Sequence, residues 1–352
     1  MKIEERGYES RLRSSTLRAV STAASPAAPG SVQPSRGRSA DRRRSLDRFG
    51  DGLLRTVCAA AAVTAVGILV LSAYQIIDHA SPAISKFGLG FLFSTEWLPN
   101  FGIFGAGTLL YGTLVSSFFA LLIGAPIAIA IGLYLSLLAP KGVRGVISPM
   151  VEMLAAIPSV ILGFWGILLL APFVHKHVEP FLHDTLGFIP LFGPPQTTGA
   201  SIFTASLILT IMIIPIVASI SRDLFLAVPR DVQDGASALG ATRWEVVRGI
   251  VLPTTSSGVI AASLLGLGRA LGEAIAVAQV IGAGEAIKNH SLFETGDTLA
   301  ARIANQFPGA ITGMHKASLY YCAAILLVIG LASNLCAQWI GRRFDYRRAA
   351  AR

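Results

Sequence analysis

Asp234-Gly235-Ala236-Ser237-Ala238-Leu239-Gly240 is followed, after nine residues, by Ile250-Val251-Leu252-Pro253. The stretch lies in a polar segment between two long apolar ones. Pro229-Arg230-Asp231 reads as a helix start with Asp231 as N-cap. Residues 232–239 suit a short helix, and Gly240 suits its left-handed end. Trp244, Val246, Val247 and Ile250 offer a second apolar face, and Pro253 marks the return to apolar chain. The expectation is a helix-turn-helix knob over 229–256. Small residues at Gly235, Ala236 and Ala238 would let another protein approach its surface closely.

The flanking composition says where such a knob sits. The chain of 352 residues is 53% hydrophobic and 14% charged. That is too little charge to cover a soluble protein of this size. A membrane span needs about 20 mostly apolar residues. Six windows qualify: roughly 53–77, 107–138, 149–174, 200–220, 257–282 and 318–340. The second is longer than one crossing requires, and Pro126 is a candidate kink within it. The fold class expected is therefore all-α, a six-span membrane protein.

The net charge of +9 is uneven, with eleven Lys/Arg in residues 1–52 and five in 342–352. A basic chain can bind nucleic acid. Here the basic residues border apolar segments, which is the positive-inside pattern instead. With six spans both termini share a side, and that side carries 23 Lys/Arg against 5 on the other. Both termini and the 229–256 loop are thus expected in the cytoplasm.

Residues 1–52 are rich in Ser, Ala, Arg, Pro and Gly, without a sustained apolar period, and read as a disordered basic tail. The first span and an external loop occupy 53–84, the remaining transmembrane domain 85–345, and a basic end 346–352. Trp97 and several Phe in 78–106 suit an interfacial segment. Residues 175–199 read as a solvated outer loop, in which His175-Lys176-His177 lacks the Cys or carboxylates that would complete a metal site. Cys58, Cys322 and Cys336 all fall in apolar segments and read as packing residues.

Within the fifth window stand Arg269 and Glu273, four residues apart and so expected on one helix face. Charges inside a span are costly and either pair with each other or face an interior path. A guanidinium presents a planar fork suited to an oxyanion. Glu273 could hold Arg269 in place or keep an anion from binding too tightly. Gly268 and Gly272 form a small-xxx-small pair that favours close helix packing.

The 234–253 pattern resembles the signature loop of ABC-transporter membrane subunits: Glu-Ala-Ala, three residues, Gly, nine residues, Ile-x-Leu-Pro. Asp234 and Gly235 stand where that pattern has Glu and Ala. Gly268 to Glu273 within 264–282, Thr210 to Asp223 with Val228-Pro229, and Gly107 through Ile131 are similar to phosphate-specific permeases of the PstC type. Ala274 and Ala283 replace that family's usual Thr and Asn. The resemblance covers about 85–345 and implies a type I ABC importer permease. It makes Asp234, Gly235, Ala236, Gly240, Ile250, Leu252 and Pro253 the ATPase-coupling residues, and Arg269 and Glu273 the substrate pathway. It further implies a PstA-like second permease, two PstB-like ATPases that use the ATP and magnesium, a PstS-like external phosphate-binding protein, and a bacterial inner membrane. Other tetrahedral oxyanions such as sulfate and molybdate, the sister PstA-like role and an ion-coupled secondary transporter stand as alternatives. The sequence contains no GxxxxGK[ST] loop, so ATP hydrolysis belongs to another chain. It offers no nucleophile elbow, no His-Glu-x-x-His and no catalytic carboxylate pair. No cofactor is expected on this chain.

Overall fold

The computed structural model describes residues 38–195, 198–284 and 291–343. The chain divides into two compact units, Met1–Gly67 and Ile68–Arg352. The described residues of the first are the N-terminal part of helix α1, Arg38–Phe87. Among the described residues, six helices are long and apolar enough to cross a membrane. Among the described residues the single extended pairing is the isolated bridge Leu98–Ile103.

After α1 come the short α2, Gly90–Phe93, and the second span α3, Gly107–Leu133, which a π-turn over Tyr134–Leu138 prolongs. The full span Gly107–Leu138 has the expected bounds, and Pro126 lies inside it. Next is α4, Lys141–Ala155, and then the third span α5, Ser159–Leu186, with π-turns at Gly166–Leu170 and Val174–Val178. The fourth span α6 is Ile202–Leu226. The polar loop forms α7, Arg230–Ala238, and the fifth span α8, Arg243–Gly272, begins inside that loop. Two short helices, α9 Ile275–Val280 and α10 Leu299–Gln306, precede the sixth span α11, Gly313–Arg343.

The core is built on α6, where 72% of the most apolar window is buried, against 22–28% for α3, α5, α8 and α11. Those four therefore keep large faces for lipid or another subunit. α3 lies against α6 along Ala120, Gly124, Ala128 and Gly132, which recur every fourth residue and form one small-residue stripe. A Cβ on Gly132 would stand 3.1 Å from the Ala218 carbonyl oxygen and the Arg222 nitrogen, so side chains there would push the helices apart.

Several expectations need correction. The third span does not begin at Pro149. That proline lies inside α4, a separate amphipathic helix whose apolar residues continue the hydropathy of the span. Pro158 separates the two helices, since the residue before proline is driven out of the helical region. The outer loop expected over 175–199 is helical as far as Leu186. His175 there faces the buried Glu179 at 3.4 Å, while His177 lies against Phe173. The first span continues as helix to Phe87 and reaches back to Arg38, into the stretch expected to be a disordered tail. Residues 1–37 and 344–352 lie outside the described residues. Trp97 is not a surface ring. It is buried between Phe91 and Phe104, and its indole N–H donates to Gln306 Oε1 at 2.8 Å.

Candidate functional site

The knob is folded by its own sequence. α7 starts after Pro229, whose preset backbone angle suits that position and whose side chain offers no cap. Asp231 is therefore not the N-cap; it sits in the first turn, where its charge favours the helix dipole. The helix ends in a Schellman motif. The Ala241 N–H donates to the Ala236 carbonyl at 3.1 Å and the Gly240 N–H to the Ser237 carbonyl at 3.0 Å. Gly240 takes a φ of +93°, open to glycine and strained for any other residue. One residue later Thr242 and Glu245 form a capping box that starts α8. A π-turn over Val247–Val251 ends two residues before Pro253, which lacks the N–H that an unbroken ladder would need.

The knob's two sides differ. Asp234, Gly235 and Gly240 are exposed, with no atoms within 4 Å of where a Cβ on either glycine would stand. Leu239, 92% exposed, and Trp244, 64% exposed, stand free beside them. Ala236 and Ile250 are half-buried, as are Leu252 and Pro253. Ala236, Ile250 and Leu252 pack with Phe225, Val228, Val246, Val251 and Val259, and against Leu133 and Leu137 of the second span. The motif thus splits: Asp234, Gly235 and Gly240 shape a free surface, while Ile250 and Leu252 root it. Of the second apolar face expected on Trp244, Val246, Val247 and Ile250, Val246 and Ile250 are consumed by this root, whereas Trp244 stays exposed. Sequence reasoning passed over a tether close by, in which Arg222 of α6 bridges Glu152 of α4 at 2.9 Å and Asp223 at 2.8 Å.

Arg269 and Glu273 do not form the expected pair. α8 ends at Gly272, and Glu273 takes an extended conformation (φ −72°, ψ 119°). Its Oε1 accepts from the Ala276 N–H at 3.3 Å, at the start of α9. The i, i+4 geometry fails because the helix stops one residue short. Among the described residues the ion pairs include none between Arg269 and Glu273. Arg269 is exposed on the wall of an open cavity of about 1140 Å³ between α6, α8 and α11. Gly268 lines the same cavity, and a Cβ on Gly268 or Gly272 would meet nothing within 4 Å. The tight packing expected at those glycines is therefore not made within this subunit. What the arrangement offers is an uncommitted guanidinium in an open groove beside a helix break.

A second ionic cluster escaped notice in the sequence. Asp297 and Arg302 form a buried ion pair at 2.7 Å, with Arg302 also lying 5.6 Å from the Trp97 ring. Burial pushes the Asp297 carboxyl above its ordinary range, while the Arg302 charge pulls it back. The Asp297 carbonyl lies where a Cβ on Gly112 would stand, and the Leu299 N–H donates to Thr113 Oγ1 at 3.0 Å. The segment after the fifth span is thereby clamped onto the start of the second. The clamp has no local sequence signal, because Leu299 and Thr113 are 186 residues apart in the chain.

Comparison with known proteins fits this geometry. A family profile described as binding-protein-dependent transport system inner membrane component matches residues 124–348. The phosphate transport system permease protein PstC of Xylella fastidiosa is 39% identical over 291 residues, 81% of this chain and 89% of that protein. PstC of Mesorhizobium japonicum is 38% identical over 316 residues, 88% and 96% of the two chains. PstC 2 of Mycobacterium tuberculosis is 40% identical over 264 residues, 73% and 81%. Among solved structures, a bacterial alginate ABC transporter in complex with alginate pentasaccharide-bound periplasmic protein matches with a TM-score of 0.55 at 18% identity. That match covers 85% of this chain and 97% of that one, and the likeness is one of fold.

Proposed function

We propose the following from one premise: the chain belongs to the family of binding-protein-dependent transport system inner membrane components, and it serves as the PstC-like permease subunit of an ATP-driven phosphate importer. The observation that carries this is the pairing of a free-standing knob with a span that holds an unpaired arginine. The knob begins α8, and α8 bears Arg269 near its other end. A movement imposed on the knob therefore reaches the anion-binding group through one continuous helix.

In this reading both termini and the knob are cytoplasmic, in the bacterial inner membrane. Two PstB-like ATPases dock on the face formed by Asp234, Gly235, Leu239, Gly240 and Trp244, and they bind the ATP and magnesium. A PstA-like permease covers the open side of α8, where Gly268 and Gly272 leave room. A PstS-like protein delivers phosphate from outside. ATP binding draws the ATPases together, the knobs follow, and the pathway turns from inward- to outward-facing. Arg269 then meets the released anion, its fork matching two phosphate oxygens. Glu273 ends the helix beside it and limits how strongly the site holds an anion.

The test is uptake of radiolabelled phosphate at limiting concentration, in cells lacking the gene and complemented with the parent or Arg269→Ala. Sulfate and molybdate in excess serve as competitors. Uptake restored by the parent alone and indifferent to both competitors is the expected result. Unchanged phosphate uptake on deletion, with loss of another oxyanion's uptake, would keep the importer and discard phosphate.

A further inference from the structure

The groove beside Arg269 has a polar wall on its other side. α11 is an apolar span, yet Ser333, Asn334 and Gln338 line the same cavity as Arg269. Asn334 and Gln338 are four residues apart and so lie on one helix face. Both are exposed within the subunit, and neither makes a side-chain hydrogen bond among the described residues. Carboxamides left without partners in a hydrocarbon environment are costly, so such side chains imply a polar counterpart.

The position of that wall indicates its counterpart. On α8 the cavity extends from Ser257 to Arg269, twelve residues or roughly 18 Å of helix. α8 and α11 are consecutive spans and run in opposite directions. Gln338, near the end of α11, therefore lies toward the knob side of the groove, with Asn334 between it and the level of Arg269. The order is a fixed cation followed by neutral donors. An anion held only by arginine is trapped; conduction needs successive sites strong enough to enter and weak enough to leave. Each carboxamide supplies two N–H donors without a charge.

We propose that Asn334 and Gln338, with Ser333, contact the oxyanion after Arg269 and form the inner half of its route along the α8–α11 groove. This rests on the reading of Arg269 as the pathway cation.

The experiment uses the complete transporter in proteoliposomes, with binding protein and radiolabelled inorganic phosphate as the probe. Arg269→Ala tests the underlying reading by itself, and full uptake by that variant removes Arg269 from the route. With that reading standing, the double variant Asn334→Leu, Gln338→Leu should copurify with the other subunits. Its maximal uptake should drop about tenfold or more, the loss expected for hydrogen bonds to a charged group. The binding-protein concentration giving half-maximal uptake should not move, because delivery from outside is untouched. Asn334→Asp should slow uptake more than Asn334→Leu, since it adds repulsion of the anion to the lost hydrogen bond. Leucine-pair uptake within about twofold of the parent, which leaves no room for such a hydrogen bond, overturns the proposal. If the leucine pair fails to assemble, the amides belong to a subunit contact unless Asn334→Asp assembles and slows uptake where Asn334→Ser, which keeps a neutral donor, does not. Equal uptake by the Asp and Ser variants overturns the proposal.

Discussion

Replacing Gly240 by valine isolates the backbone from the surface. A Cβ at that position meets nothing within 4 Å, so the substitution adds no clash. The cost comes from φ +93°, which a β-branched residue resists. Holding valine there costs about 1–3 kcal/mol. Escaping the strain instead opens the Schellman motif and gives up two hydrogen bonds, those of Gly240 and Ala241, at about 0.5–1.5 kcal/mol each. Either route lowers the ratio of closed to open knob by about ten- to a hundredfold. Gly235→Ala is the control. It also meets open space, but within α7, where alanine is favoured over glycine by up to about 1 kcal/mol. The assay is copurification of the ATPase subunits and transport-coupled ATP hydrolysis by the assembled complex. Gly240→Val should weaken docking and uncouple hydrolysis from uptake, whereas Gly235→Ala should keep the knob folded. Full docking and coupled uptake by Gly240→Val would refute the claim that this turn orients the coupling surface.

Other substitutions probe the remaining contacts. Gly132→Leu should destabilise the subunit by more than about 2 kcal/mol or prevent its folding, through overpacking of α3 against α6; thermal unfolding in detergent checks this. Asp297→Asn should cost about 3–5 kcal/mol by leaving Arg302 buried and unpaired, read as a lower unfolding temperature with the knob still competent to dock. Arg302→Met leaves the Asp297 carboxyl buried alone, with its affinity for a proton already raised by burial. A carboxyl that binds its proton more tightly folded than unfolded contributes stability at low pH that is lost as pH rises. That variant should therefore unfold at a lower temperature at about pH 8 than at about pH 5, the reverse of a salt-bridged carboxylate. Ala236→Arg places a long charged side chain at the root of the knob and should abolish ATPase copurification; intact copurification would move the docking surface elsewhere.

What could be read in advance followed from local chemistry. Gly107–Leu138 is uniformly apolar, so its limits are set by composition. Gly240 could be placed at a helix end because glycine alone tolerates the turn it makes. Hydropathy reports how apolar a stretch is and not which way its chain runs, so the apolar face of α4 merged with the span beyond Pro158. Pairing Arg269 with Glu273 extrapolated the helical period across Gly272, although a glycine is a stop signal. The burial of Trp97 was not legible for another reason. Its partners Phe104, Gln306 and His315 come from separate segments, and no window around residue 97 contains the last two. The Ile250 and Leu252 side chains were legible as a motif, but their inward direction depended on Phe225 and Leu133, supplied by other spans.

The continuity of α8 gives the subunit a mechanical gain. From Val246, seated in the core beneath the knob, to Arg269 is 23 residues of helix, roughly 35 Å at 1.5 Å per residue. A rod of that length tilted by about 10° about its root would sweep its far end through about 6 Å, comparable to one helical turn. In the proposed mechanism a small rotation at the knob would thereby become a displacement of several ångströms at the arginine. The helix break at Glu273 marks where that arm ends and α9 begins.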